Sequence, residues 1–162
     1  MPALELDGFE LVYSMIVDER SIDDNGHVNV AHYSLFFEEA ANAWHPKFGM
    51  SLEYKDRHGG SFFVSECHMK YFHEALLGQT LDHYGRVSEL SEKATLTDLL
   101  IVERESGELI AGQEMLFVHV DIEARRPAAM RDPLKSMIAD WVKRQAPRVS
   151  PLPYKRRLEF RR

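Results

Sequence analysis

Two spacings of apolar residues alternate along the chain. Residues 9–17 (FELVYSMIV) are rich in strand formers and read as a first strand. A polar connection follows, and Asn25-Gly26 within it is a strong turn dipeptide. The period then lengthens. Tyr33, Phe36, Phe37, Ala40, Ala41 and Trp44 recur every three or four residues, which puts them on one face of a helix. That helix starts near Asn29 or Val30, with Asn29 suited to accept from an orphan N–H, and Pro46 ends it. Residues 49–60 read as a polar connection closing on Gly59-Gly60.

Strand-like alternation returns over residues 61–72 (SFFVSECHMKYF). One face takes Phe63, Ser65, Cys67, Met69 and Tyr71; the other takes Phe62, Val64, Glu66, His68, Lys70 and Phe72. Residues 81–90 form a further strand, weakened or bulged at Gly85. Residues 94–104 and 109–120 flank Glu105-Ser106-Gly107-Glu108 as a hairpin. Residues 132–145 read as a C-terminal helix capped by Asp132, with Pro133 in its first position. The order is strand, helix, four strands, helix. It predicts one α+β domain over residues 1–146, with a mainly antiparallel five-stranded sheet and a long helix for it to wrap. The basic, Pro- and Arg-rich tail, residues 147–162, has the composition of a loosely ordered segment.

Composition narrows the class. A length of 162 residues suits a single domain with a real core, and 44% hydrophobic with 28% charged residues is globular rather than disordered. A net charge of -6 argues against a protein that coats nucleic acid. Cys67 is the single cysteine, so no internal disulfide forms and a reducing compartment is expected. No apolar run approaches a membrane span, and the acidic N-terminus does not resemble a secretory signal. A cytoplasmic location is the resulting expectation.

The chemistry concentrates where the long helix begins, in Ile22-Asp23-Asp24-Asn25-Gly26-His27-Val28-Asn29. A helix N-terminus offers unpaired N–H groups and a positive dipole end. A carboxylate beside it can act as general base or nucleophile, and the N–H groups can receive an oxyanion. The bland alternative is a pair of acids solvating a turn. Other chemistries find little support. The eight histidines lack metal-ligand spacing, so no metal is expected. A phosphate-binding Gly-rich loop and a G-x-S-x-G elbow are also missing.

The motif Asp23-x-x-Gly26-His27-Val28-Asn29-x-x-x-Tyr33, leading into Phe36-Phe37-Glu38-Glu39-Ala40, resembles the hotdog-fold acyl-CoA thioesterases of the 4-hydroxybenzoyl-CoA thioesterase type. The resemblance covers roughly residues 11–121. The segments Glu66-Cys67-His68-Met69-Lys70-Tyr71 and His119-Val120-Asp121, with Arg125-Arg126-Pro127, look further like the branch that hydrolyses betainyl-CoA in carnitine and betaine breakdown. The resemblance implies a hotdog fold, an acyl-CoA substrate, no cofactor beyond the coenzyme A of the substrate, and a homodimer or homotetramer with sites at subunit boundaries.

By the same resemblance Asp23 takes the carboxylate role, and the Val30 backbone N–H, with Ala31 beside it, takes the thioester carbonyl. Asp24, and Glu38 or Glu39 on the helix, stay open as rivals. His27 either braces the loop or, as in dehydratases of this fold, serves as base. Asn29, Tyr33, Phe37, Glu66 and His68 are the candidate substrate contacts. Asn29 is equally a cap, and Glu66 equally a partner for backbone at the helix turn. Arg86, Arg125, Arg126, Lys155, Arg156 and Arg157 are candidates for the coenzyme A phosphates. Aromatic faces near carboxylates would suit a quaternary ammonium acyl group. A hydratase and a non-catalytic acyl-CoA-binding module are the alternatives to hydrolysis.

Overall fold

A computed structural model describes residues 4, 6–145, 152 and 155–160. Five long strands, β1 (Glu10–Ile16), β2 (Gly60–Tyr71), β3 (Thr80–Leu90), β4 (Ala94–Glu103) and β5 (Leu109–Asp121), form an antiparallel sheet in the order β1-β3-β4-β5-β2. A two-residue strand, β6 (Arg126–Pro127), pairs with β5. The helix α1 (Val30–Trp44) packs on one face of this curled sheet, as the apolar period predicts. Its buried residues are Tyr33, Phe36, Phe37, Ala40, Ala41 and Trp44, the same stripe that the spacing marks. The architecture is the expected hotdog fold: an antiparallel sheet wrapped around one long helix, with a C-terminal helix α3 (Leu134–Gln145) beyond it. No helix among the described residues is long and apolar enough to cross a membrane.

Gly85 is not a bulge. It lies beneath α1, where an added Cβ would stand 3.0 Å from Trp44 Cζ3, so the glycine lets the indole sit on the sheet. The β3 irregularity falls instead between Val87 and Glu89. Trp44 then meets Phe48 and Trp141 of α3 at ring-centroid distances of 5.1 and 6.2 Å, which closes the core at that end.

The connection after α1 holds a second helix, α2 (Leu52–His58), that the sequence reading took for loop. Ser51 caps it by accepting from Tyr54 N–H, and Gly59 ends it in the left-handed conformation at φ 64°. Tyr54 is its one buried residue, so it lacks an apolar stripe to announce it.

The sheet is buried on both faces. Leu99 and Ile101 of β4 face the α1 core, while Leu100 and Val102 pack with Leu109, Leu4, Leu6, Phe9 and Leu152 on the other side. This explains why β4 reads as an almost continuous apolar run. The outer side also carries buried charge. Arg86 Nε lies 2.7 Å from Asp98 Oδ2, and Arg156 Nη2 lies 2.5 Å from the same oxygen. The N–H groups of Arg157 and Leu158 donate to the Glu114 carboxylate at 3.0 and 2.9 Å. Residues 155–158 are therefore tied to β4 and β5, contrary to the loose tail expected. Two fully buried carboxylates need these donors, and the tail brings them. Residues 147–151, 153, 154, 161 and 162 of the expected tail lie outside the described residues.

Candidate active site

Asp23 sits in a tight loop held by its own backbone. Its N–H donates to His27 O at 2.9 Å, and its carbonyl accepts from Gly26 N–H at 2.9 Å. Gly26 takes φ 83°, which favours glycine at that corner. One carboxylate oxygen, Oδ1, accepts from Asn25 N–H at 2.8 Å, which fixes the side chain and leaves Oδ2 turned toward His27. Two further bonds seat the loop: Val28 N–H donates to Ala75 O at 2.9 Å and Asn29 N–H to Ser21 O at 2.8 Å.

Asn29 caps α1. Its Oδ1 accepts from Ala31 N–H at 3.0 Å, and its carbonyl accepts from His32 N–H at 2.9 Å. The Ala31 N–H is therefore spent on the cap and is not the second oxyanion donor that the sequence reading paired with Val30. The Val30 N–H, in the first helical position, has no hydrogen-bond partner among the described residues. Val30 is itself 62% exposed and lies on the wall of a cavity.

A cavity of about 390 Å³ brings Asp23, His27, Asn29, Val30 and Tyr33 together. Tyr71, Phe72, His73 and Glu74, from the end of β2 and the turn after it, complete the wall. His27 bridges two carboxylates: Nδ1 lies 3.1 Å from Glu74 Oε2, and Nε2 lies 3.6 Å from Asp23 Oδ2. Tyr33 is 5% exposed and its ring meets Tyr71 edge-on at 5.1 Å. Burial pushes the Tyr33 phenol pKa up, so it stays protonated at neutral pH.

Other sequence-predicted residues lie elsewhere. Phe37 is fully buried and packs edge-on against His83 at 6.2 Å, so it is core rather than a substrate contact. Glu66 and His68 turn to the outer side of the sheet, where His68 Nδ1 is 3.5 Å from Glu114 Oε1. The cause is a bulge between Val64 and Glu66, which breaks the strict alternation. Phe62 and Val64 thereby share the α1-facing side with Cys67. Asp24 is exposed outside the cavity, and Glu39 accepts from Tyr13 O–H at 3.0 Å. Glu38 lines a different cavity. Arg86 and Arg156 are engaged by Asp98 on the outer side of the sheet. Arg125 stacks over the Phe63 ring at 5.7 Å.

The second cavity, about 710 Å³, runs between α1, α2, β2 and β5. Ser34 on its wall is one helical turn beyond Val30, so the two cavities follow one another along α1. No cluster of three or more His, Cys, Asp or Glu residues able to hold a metal occurs among the described residues.

A curled antiparallel sheet on one long helix is the hotdog architecture, and a carboxylate and an N–H without a partner among the described residues meet at its helix entrance. The chain belongs to the thioesterase-like superfamily, whose family model matches residues 17–142. It is 28% identical over 107 residues to the betainyl-CoA thioesterase of Pseudomonas aeruginosa, covering 66% of this chain and 67% of that protein. It is 29% identical over 130 residues to the L-carnitine dehydrogenase/betainyl-CoA thioesterase of Rhizobium meliloti, covering 78% of this chain but 26% of that longer protein. The long-chain acyl-CoA thioesterase FadM of Escherichia coli is 25% identical over 123 residues, 75% of this chain and 92% of FadM. Among solved structures, a Staphylococcus aureus protein in complex with CoA superposes with a TM-score of 0.82 at 23% identity, covering 93% of this chain and 97% of that one. A 1,4-dihydroxy-2-naphthoyl-CoA thioesterase from Synechocystis superposes at 0.71 and 21% identity, covering 80% and 96%.

Proposed function

We propose that the chain hydrolyses a small acyl-CoA at the Asp23 cavity, betainyl-CoA being the foremost candidate. The observation that carries this reading is the meeting of the Asp23 carboxylate and the Val30 N–H on one open cavity. The thioester carbonyl oxygen accepts from Val30 N–H, and the α1 dipole favours the negative charge that develops there. Asp23 draws a proton from water as it attacks, or adds directly to give an anhydride that water then opens. The carbon–sulfur bond breaks and coenzyme A leaves as its thiolate. His27, held by Glu74, keeps an imidazole nitrogen on the Asp23 side of the cavity.

The reaction needs no group beyond the substrate and water. A homodimer, or a homotetramer built from it, fits this reading. The 12-residue β2 is an edge strand, and Phe63 and Val64 on it are 42% and 52% exposed. Pairing β2 with a second copy covers that edge and brings a partner surface to the cavity. Sedimentation tests this, with a species of twice the chain mass expected and a monomer alone contradicting it.

A hydratase with His27 as base is the second reading, favoured by the place of His27 in the same cavity. Thiol release from acyl-CoA separates the two: hydrolysis frees coenzyme A, hydration does not.

A further inference from the structure

We propose that the second cavity receives the acyl group, and that the Gln113 carbonyl oxygen there selects an acyl group with a positively polarised end, an ammonium or a hydroxyl. This rests on the thioesterase reading above. Gln113 stands on β5 and is 3% exposed. Its Nε2 donates to Cys67 Sγ at 3.4 Å, while its Oε1 is buried with no hydrogen-bond partner among the described residues. A buried amide oxygen without a donor is costly, and it lines the cavity that a ligand would fill. A plain alkyl chain leaves that cost in place. A hydroxyl relieves it by donating, and an ammonium relieves it by its charge.

Phe62, paired with His119, and Phe117 line the cavity further along β5, about 20 and 13 Å from Gln113, so Gln113 rather than an aromatic cage meets the polar end of a short acyl group. His45 lies edge-on to Phe117 at 4.9 Å, and burial pushes its imidazole pKa down to about 4, so it is uncharged at neutral pH. The charged residues on the wall are Glu38 and Lys55. Lys55 is carried by α2.

Length sets the size of the acyl group. Tyr71, on the wall of the Asp23 cavity, pairs with Ala111. Gln113 is two residues further along β5, about 7 Å. A short acyl group, its carbonyl at Val30, is expected to bring its far end to Gln113. A long chain would instead run past Gln113 toward His45.

The test uses hydrolysis-resistant thioether analogues of butyryl-CoA, 3-hydroxybutyryl-CoA and betainyl-CoA, with binding read by calorimetry on the wild type, Gln113→Leu and Gln113→Glu. The wild type is expected to bind the hydroxyl and cationic analogues at least about tenfold tighter than butyryl. Gln113→Leu, with an unchanged melting profile, is expected to erase that preference by favouring butyryl. Gln113→Glu is expected to strengthen the cationic arm most. Equal shifts for all three analogues in Gln113→Leu, or none, overturn the proposal and leave the cavity to other side chains or a second copy. A wild type that keeps the binding contrast yet releases no thiol from any thioester keeps this selectivity and overturns the hydrolytic reading instead.

Discussion

His27 Nδ1 lies 3.1 Å from Glu74 Oε2, across 47 residues of sequence. That contact ties the loop before α1 to the turn after β2, and it turns the other ring nitrogen of His27 toward Asp23. With Glu74 as acceptor, Nδ1 carries the proton and Nε2 presents its lone pair. Glu74 is in this sense a positioning residue for the site.

Glu74→Gln keeps a hydrogen-bonding group but removes the charge. It is expected to lower kcat about three- to tenfold with little change in KM, and to shift the pH–rate profile as the tautomer preference weakens. His27→Ala is expected to cost more, on the order of a hundredfold in kcat. A Glu74→Gln profile that overlays the wild type at every pH removes Glu74 from this role.

Gly60 packs against His119 so closely that a Cβ would fall 2.4 Å from its Nε2 and 3.0 Å from Tyr54 Cε1. The imidazole cannot yield, because Nδ1 donates to Ala128 O at 2.8 Å and Nε2 accepts from Tyr54 O–H at 3.0 Å. Gly60→Ala is therefore expected to destabilise by about 2–3 kcal/mol in urea titration. A midpoint equal to the wild type would mean that the His119 network gives way freely.

Histidines buried without charge make stability fall in acid. Burial holds His83 and His45 at about 4, against 6.5 in the unfolded chain. The unfolded chain takes up protons first as pH falls, so their contribution is complete above 6.5, declines between 6.5 and 4, and levels off below 4. The loss amounts to about 3 kcal/mol per histidine. Urea midpoints from pH 8 to pH 4 check this, and His83→Leu should flatten the decline. An equally steep decline in that variant assigns the acid lability to other groups.

Arg156 supports two carboxylates, Asp98 and Glu114, that are fully buried. Arg86 still pairs with Asp98 when Arg156 is removed, so the charge is weakened rather than abandoned. Arg156→Ala is expected to cost about 2 kcal/mol of unfolding free energy. An unchanged urea midpoint would mean that the tail is dispensable to the outer face of the sheet.

The helix entrance was legible in sequence because its signals are local. A cap residue, a turn dipeptide and an apolar period fix α1 and bring Asp23, His27, Asn29, Val30 and Tyr33 to one cavity. What stayed hidden depends on distant partners. Glu74 joins through a turn formed after β2, and nothing in its neighbourhood marks it. Glu66 and His68 were misassigned because one bulge, between Val64 and Glu66, breaks the alternation on which their face was read. Gly85 looked like a bulge, but its reason is the indole of Trp44, 41 residues earlier in the chain. The tail reads as loose from composition, while its anchors are two acids on separate strands.

Asp23, set against the Val30 N–H, is proposed to perform the thioester hydrolysis. Thiol release from a panel of acyl-CoAs, betainyl-CoA among them, with the wild type beside Asp23→Asn, tests it most directly. The wild type is expected to turn over, and Asp23→Asn to lose at least about a hundredfold in kcat, with the fold and thioether-analogue binding retained. Wild-type turnover in Asp23→Asn would contradict that role.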